Sequence, residues 1–191
     1  MNLIKILITT LTLLLSNVVN AEEKIKFSLD WKFEGPSAIF LTSKERGYYK
    51  SSGLDVTIDS GKGSRDAIPK VASGTYPLGF ADINSVIKFI DQNPNAKVKA
   101  IMMVYDKPPF AIIGRKSLGV VKPKDLEGKI LGAPAPDGAY AQWRSFVKAN
   151  NIIADKVKIE NVGFPVREPM LASGKVDAIT GYSFSSYINL A

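Results

Sequence analysis

Apolar and polar positions along this chain form short runs whose period switches between two and about 3.6, the pattern of strands alternating with helices. Lys24 to Leu29 alternates as a strand. Pro36 to Arg46 reads as a helix with proline at its start and Gly47 as its stop, and Leu54 to Ile58 is the next strand, completing a βαβ unit. Ser64 to Ser73 predicts a helix ended by Gly74, with Pro69 starting or kinking it, before a short buried strand at Leu78 to Ala81. A helix over Asn84 to Asp91 follows. Lys97 to Tyr105 reads as a strongly apolar strand, and Phe110 to Ile113 resumes an extended path after Pro108-Pro109.

Beyond Arg115 the pattern starts afresh. Lys124-Asp125-Leu126 is a turn, Lys129 to Leu131 a strand, and Asp137 to Ala149 a helix capped by Asp137. Strand Val157 to Asn161, helix Val166 to Ser173 and strand Asp177 to Ile179 complete the series. The two halves share a phrase, Val71-Ala72-Ser73-Gly74 and Leu171-Ala172-Ser173-Gly174, in which a helix ends on glycine and turns into a strand. The expected class is therefore α/β, with a mainly parallel sheet in each of two lobes. Taking Gly114 to Pro123 as the crossing puts the first lobe at residues 22–114 and the second at 115–191.

The first 21 residues stand apart. Lys5 precedes an apolar run from Ile6 to Leu15, and Val19-Asn20-Ala21 has the small residues of a cleavage site, so a signal peptide cut after Ala21 and export to the periplasm are expected. The run is shorter than the ~20 residues of a spanning helix.

Composition narrows the chemistry. The chain has no cysteine and no histidine, which excludes disulfides, a lipidated N-terminal cysteine, zinc sites of the usual kind and Ser-His-Asp or Cys-His catalysis. The net charge is +7, from 25 Lys+Arg against 18 Asp+Glu, but the cations are scattered among acids without a basic block. Nucleic acid is not an expected partner, and neither a metal nor a cofactor is called for.

In open α/β sheets ligands bind beyond the carboxyl ends of the strands, so the loops after the strands carry the candidates. The first is Asp30-Trp31-Lys32-Phe33-Glu34-Gly35, where Asp30, Glu34, Trp31 and Phe33 combine carboxylates with aromatic faces suited to a flat or cationic solute. After the second strand, Gly61, Gly63 and Ser64 bring backbone amides to a helix start where an anion would sit, although the spacing is not that of a P-loop. Asp82, Asn84 and Ser85 open another helix, and Tyr105 stands at the end of the apolar strand. The second lobe offers Asp137 and Tyr140 at a helix start, and Arg167 after a strand with Glu168 beside it. Trp31 and Tyr140 with Asp30 and Glu34 favour a nitrogen heterocycle. The glycine loop, Ser85 and Arg167 favour a sulfonate or carboxylate.

Several phrases occur in an order that resembles a known family: Ser28-Leu29-Asp30-Trp31, Gly47-Tyr48-Tyr49, Gly53-Leu54-Asp55-Val56, Gly74 through Ala81-Asp82, Lys124-Asp125-Leu126-Glu127-Gly128-Lys129 and Val176-Asp177-Ala178. They are similar to the transport receptors for nitrate, sulfonates, taurine and thiamine-precursor pyrimidines. The resemblance implies a type II periplasmic-binding-protein, or Venus-flytrap, fold with a hinge between two lobes. It also implies a monomeric receptor that catalyses nothing and delivers a small solute to an ABC permease in the inner membrane. Members of that family continue past the position of Ala191, so the fold is expected to be incomplete at the C-terminus, with apolar surface uncovered. A non-binding remnant is then an alternative. So is an enzyme, because fungal thiamine-pyrimidine synthases are similar to the same family; those enzymes depend on histidine and a cysteine-rich segment, which this chain lacks.

Overall fold

The computed structural model describes residues 22–190; the expected signal peptide lies outside them. Two sheets organise the chain. The first is parallel, with order β2-β1-β3, built from β1 (Glu23–Ser28), β2 (Leu54–Asp59) and the two-residue β3 (Leu78–Gly79). Its register sets Ile25 beside Val56 and Phe27 beside Ile58, so the alternation puts the apolar side chains of both strands on one face. That face packs with Leu29, Phe40, Leu41 and Tyr49, drawn partly from α1 (Ala38–Glu45) and α2 (Tyr48–Ser51). Lys24 and Lys26 face solvent. The helix α3 (Ser64–Ala72) links β2 to β3, and α4 (Ile83–Gln92) follows β3.

The second sheet has the order β4-β7-β5-β6, from β4 (Phe110–Gly114), β5 (Ile130–Ala133), β6 (Lys158–Asn161) and β7 (Ala178–Tyr182). Both faces are covered. Leu131 and Ala178 point into one cluster with Val120, Leu126, Ile152 and Val157, while Ile179, one residue on from Ala178, points into the other with Val162, Leu171 and Val176. The helices around it are α5 (Gly138–Ala141), α6 (Trp143–Ala149), α7 (Arg167–Ala172) and α8 (Ser185–Ile188).

Several expectations are corrected. Lys97 to Tyr105 is not a strand: among the described residues no strand lies beside it to complete a ladder, and the neighbouring edge, β3, is two residues long. The boundary after Gly114 is displaced, because Phe110–Gly114 pairs antiparallel with β7 in the second sheet, so the chain crosses between sheets before Phe110. That pairing also makes the second sheet mixed. Pro69 does not start its helix, which begins at Ser64 and runs past it. The single helix expected over Asp137 to Ala149 is two, meeting at Gln142. The strand expected to end at Ile179 continues to Tyr182, and β3 is shorter than expected.

Candidate functional site

The carboxyl ends of β1 and β7 meet between the two sheets. Asp30 follows β1 and is 7% exposed, and its Oδ2 accepts hydrogen bonds from Tyr182 at 3.1 Å and Ser64 at 3.4 Å. Burial pushes the Asp30 carboxyl up to about 6, against these two donors and its own backbone amide, which pull it down. Burial and the charge of Asp30 together raise Tyr182, so its hydroxyl stays protonated and serves as a donor.

The glycine loop is shaped to let β1 and β2 close on each other. A Cβ at Gly61 would collide with the Leu29 carbonyl, and Gly63, at φ +103°, lies against the Pro136 carbonyl of the other lobe. The loop's amides are largely used at home. Gly61 N–H donates to the Trp31 carbonyl, Gly63 N–H to the Asp30 carbonyl, and Lys62 N–H to Asp66. The Ser64 hydroxyl also accepts from the Asp82 amide at 2.9 Å, and Asp82 caps α4 by accepting from the Ser85 amide at 2.8 Å.

The second lobe contributes a charge network. Arg167 is 3% exposed; it gives two hydrogen bonds to Glu168 Oε1, at 3.1 and 2.7 Å, and one to the Ser186 hydroxyl, and it lies 3.6 Å from Asp137 Oδ2. Asp137 accepts from Thr180 at 2.6 Å and from the Ala139 amide. Burial raises Asp137 despite those donors and Arg167. For Glu168 burial also acts upward, but the Arg167 guanidinium and Ser186 outweigh it and hold the carboxyl below its usual range.

Trp31 joins the lobes. Its Nε1–H donates to Glu34 at 3.0 Å, which fixes the indole, while Phe164 meets it edge-on at 4.3 Å between centroids and the Arg167 guanidinium lies 5.2 Å from the ring centre. Two further contacts cross the gap: Arg65 to the Ala135 carbonyl at 2.9 Å, and Gln142 to Asp82 at 3.4 Å. The resulting cavity has walls from Asp30, Trp31, Ser64, Phe110, Asp137, Arg167 and Tyr182. Its volume is about 20 Å³, room for about one water, so anything larger would fit only with the lobes further apart.

Of the residues expected from sequence, Asp30, Trp31, Gly63, Ser64, Asp137 and Arg167 line this cavity. Glu34, Gly61 and Asp82 support it from behind. The others do not line it. Phe33 is exposed, as is Asn84, and Ser85 is buried with its hydroxyl unpartnered. Tyr140 is half-buried outside the lining. Tyr105 donates to the Pro36 carbonyl and packs on Phe80, facing a separate groove under the first sheet. Sequence reasoning missed Phe110, Tyr182 and the Thr180 and Ser186 partners. Tyr182 is itself a strand-tip residue, and ending β7 three residues early hid it.

Comparison with known proteins gives the fold and the family. The chain is 27% identical over 169 residues to a formylaminopyrimidine-binding protein of Halalkalibacterium halodurans, covering 88% of this chain and 49% of that protein. It is 23% identical to the riboflavin-binding protein RibY of Chloroflexus aurantiacus, covering 80% of this chain and 44% of that one. A 4-amino-5-hydroxymethyl-2-methylpyrimidine phosphate synthase of Aspergillus parasiticus matches at 24% identity over 88% of this chain and 48% of its own. The chain thus spans about half the length of the curated relatives it matches. Among solved structures, the alkanesulfonate-binding protein SsuA of Xanthomonas axonopodis superposes with a TM-score of 0.66 at 14% identity, covering 84% of this chain and 54% of that one. The aliphatic sulphonate-binding SsuA of Escherichia coli gives 0.59 at 9% identity, over 86% of this chain and 55% of its own. The fold is that of the type II periplasmic binding proteins. A family model described as NMT1/THI5 like matches residues 36–190, and the chain belongs to that family.

Proposed function

We propose that this chain is the solute-binding part of an ABC-type import receptor, exported to the periplasm, which takes a small molecule between its lobes and hands it to a permease without altering it. The observation that carries this reading is the meeting of Asp30 and Trp31 from one lobe with Asp137, Arg167 and Tyr182 from the other around one cavity at the strand tips. Such a site depends on lobe closure, because each lobe supplies only part of its aromatic and charged walls. The relatives' own ligands suggest aminopyrimidines, flavins and sulfonates as the solutes to try first.

The synthase among the relatives raises catalysis as a second reading. Against it stands the composition: with no histidine and no cysteine the chain has neither the usual proton shuttle near neutral pH nor a thiolate. The test of the receptor reading is titration of the full chain with 4-amino-5-hydroxymethyl-2-methylpyrimidine, riboflavin and ethanesulfonate, following tryptophan fluorescence and melting temperature. Saturable change with one of them, with the solute recovered unaltered, supports it. No response to any of the three, or formation of a pyrimidine from pyridoxal phosphate, counts against it.

A further inference from the structure

We infer that the cleft is built to refuse anions and to take a flat, neutral or cationic solute that gives an N–H donor to Asp30. The inference rests on the receptor reading above and adds the charge and hydrogen-bonding class of the solute.

Three donors that would help seat an anion are already engaged by the protein's own carboxylates. At the start of α3, the Ser64 hydroxyl donates to Asp30; at the start of α4, the Ser85 amide donates to Asp82; and the Ala139 amide donates to Asp137. The glycine loop, which by sequence alone is a seat for an anion, spends its Gly61, Lys62 and Gly63 amides on Trp31, Asp66 and Asp30. The cation on the cavity wall is equally committed. Arg167 faces two carboxylates, Glu168 and Asp137, and gives a further hydrogen bond to Ser186. Of the charged residues lining the cavity, Asp30 and Asp137 stand against one guanidinium, that of Arg167, which Glu168 also engages, so the lining is acidic although the whole chain is basic.

What the wall offers a solute is complementary to that charge. Both side-chain donors to Asp30 go to Oδ2, and among the described residues no other side chain donates to its Oδ1. Asp30 lines the cavity beside Trp31, Phe110 and Tyr182, so its carboxylate is an acceptor at the edge of an aromatic enclosure. A carboxylate oxygen beside aromatic faces pairs with an N–H on a flat ring, and the ring faces favour positive charge. An anion placed there meets like charge in a site screened from water, which lowers affinity steeply.

The test is a series on one scaffold, 4-amino-2-methylpyrimidine carrying at position 5 a hydroxymethyl, an aminomethyl or a carboxylate group, with ethanesulfonate and nitrate alongside. Each is titrated into the full chain by calorimetry at neutral pH. The expected order is aminomethyl at least as tight as hydroxymethyl, the carboxylate at least tenfold weaker, and no measurable binding of ethanesulfonate or nitrate. Tight binding of the carboxylate compound or of ethanesulfonate would overturn the charge assignment while leaving the receptor reading intact. Failure of all five would remove both. In Asp30→Asn, checked for fold by circular dichroism, the preference for aminomethyl over carboxylate should shrink to within about threefold. Because that ratio is internal to one protein, a general loss of stability does not imitate it; an unchanged ratio would show that Asp30 is not the selecting group.

Discussion

The Tyr182 hydroxyl, at the end of β7, donates to the Asp30 carboxylate, at the end of β1, across 152 positions of sequence. That single bond ties the tips of two sheets together and leaves a buried carboxylate dependent on a donor from the other lobe. Removing it with Tyr182→Phe should push Asp30 above its present value of about 6, since the Tyr182 bond is a lowering influence. Leaving a buried group short of a donor costs about 1–3 kcal/mol. Titration of the Asp30 side-chain carbon by NMR would show the rise, and a fall would contradict the geometry.

The same carboxyl makes stability depend on pH in a direction opposite to Asp66, Asp125, Glu127 and Glu168, whose carboxyls lie below their usual range. Its folded value, about 6, lies above the ordinary 3.8, so the folded state binds the extra proton between those limits. The contribution is fully present below pH ~4 and is lost as pH rises through about 6, amounting to ~3 kcal/mol for a shift of this size. Asp30→Asn holds the neutral form at every pH. Its stability relative to wild type should therefore increase from pH 4 to 7 in parallel denaturation curves; a flat difference would mean that Asp30 titrates as an exposed aspartate does.

Trp31→Ala should weaken binding more than folding. The indole is half-exposed and its neighbours Phe164 and Arg167 come from the other lobe, so the first lobe's apolar cluster does not contain it. Loss of the aromatic face costs roughly 1 kcal/mol beyond buried area, about five-fold in affinity. Calorimetry beside thermal melting distinguishes the roles, because a core residue would lower the melting temperature without changing the affinity of the folded fraction.

The alternation of Lys24 to Leu29 and the glycine stops were readable because they are local: period, cap and turn chemistry lie within a few residues. The rule of strand tips then located Asp30, Ser64, Asp137 and Arg167 without knowledge of contacts. What stayed hidden was set by pairing partners far away. Phe110–Gly114 looks the same from sequence whether it pairs in the first or the second sheet, and only its register against β7 assigns it. Tyr105, chosen by the same rule, failed because Lys97 to Tyr105 has the apolar composition of a strand but no ladder to join. The glycine loop suggested an anion because its amides looked free, and folding commits them to nearby acceptors.

Gly138→Ala should hold the lobes apart. A Cβ there would stand 3.0 Å from the Phe110 ring and 3.1 Å from Ser64 Oγ, both tighter than ordinary van der Waals contact. The Phe110 contact lies within the second lobe and is met by a small shift of the ring, whereas the Ser64 contact is relieved when the lobes separate slightly, which weakens the contacts that need closure. Affinity should fall several-fold with a small change in melting temperature. An unaltered affinity would show that the lobes do not need to approach this closely to hold a solute.

The apolar face of the first sheet has a consequence for solubility. Ile25, Phe27, Phe40 and Val56 border a groove of about 790 Å³, and the segment alongside exposes Ile101, Met102 and Met103 at 79%, 69% and 62%. Large contiguous apolar surface of this kind attracts hydrophobic ligands and other chains. The full chain should therefore bind an apolar dye such as anilinonaphthalene sulfonate at neutral pH while its secondary structure is intact. Amides of residues 97–103 should exchange with solvent faster than those of β1, because no strand ladder protects them. Replacing Ile101 and Met103 together with serine should reduce dye binding and aggregation, and each exposed position should change stability by no more than about 0.5 kcal/mol. A large loss of stability in the double variant would show instead that this segment packs into the groove and carries part of the fold's stability.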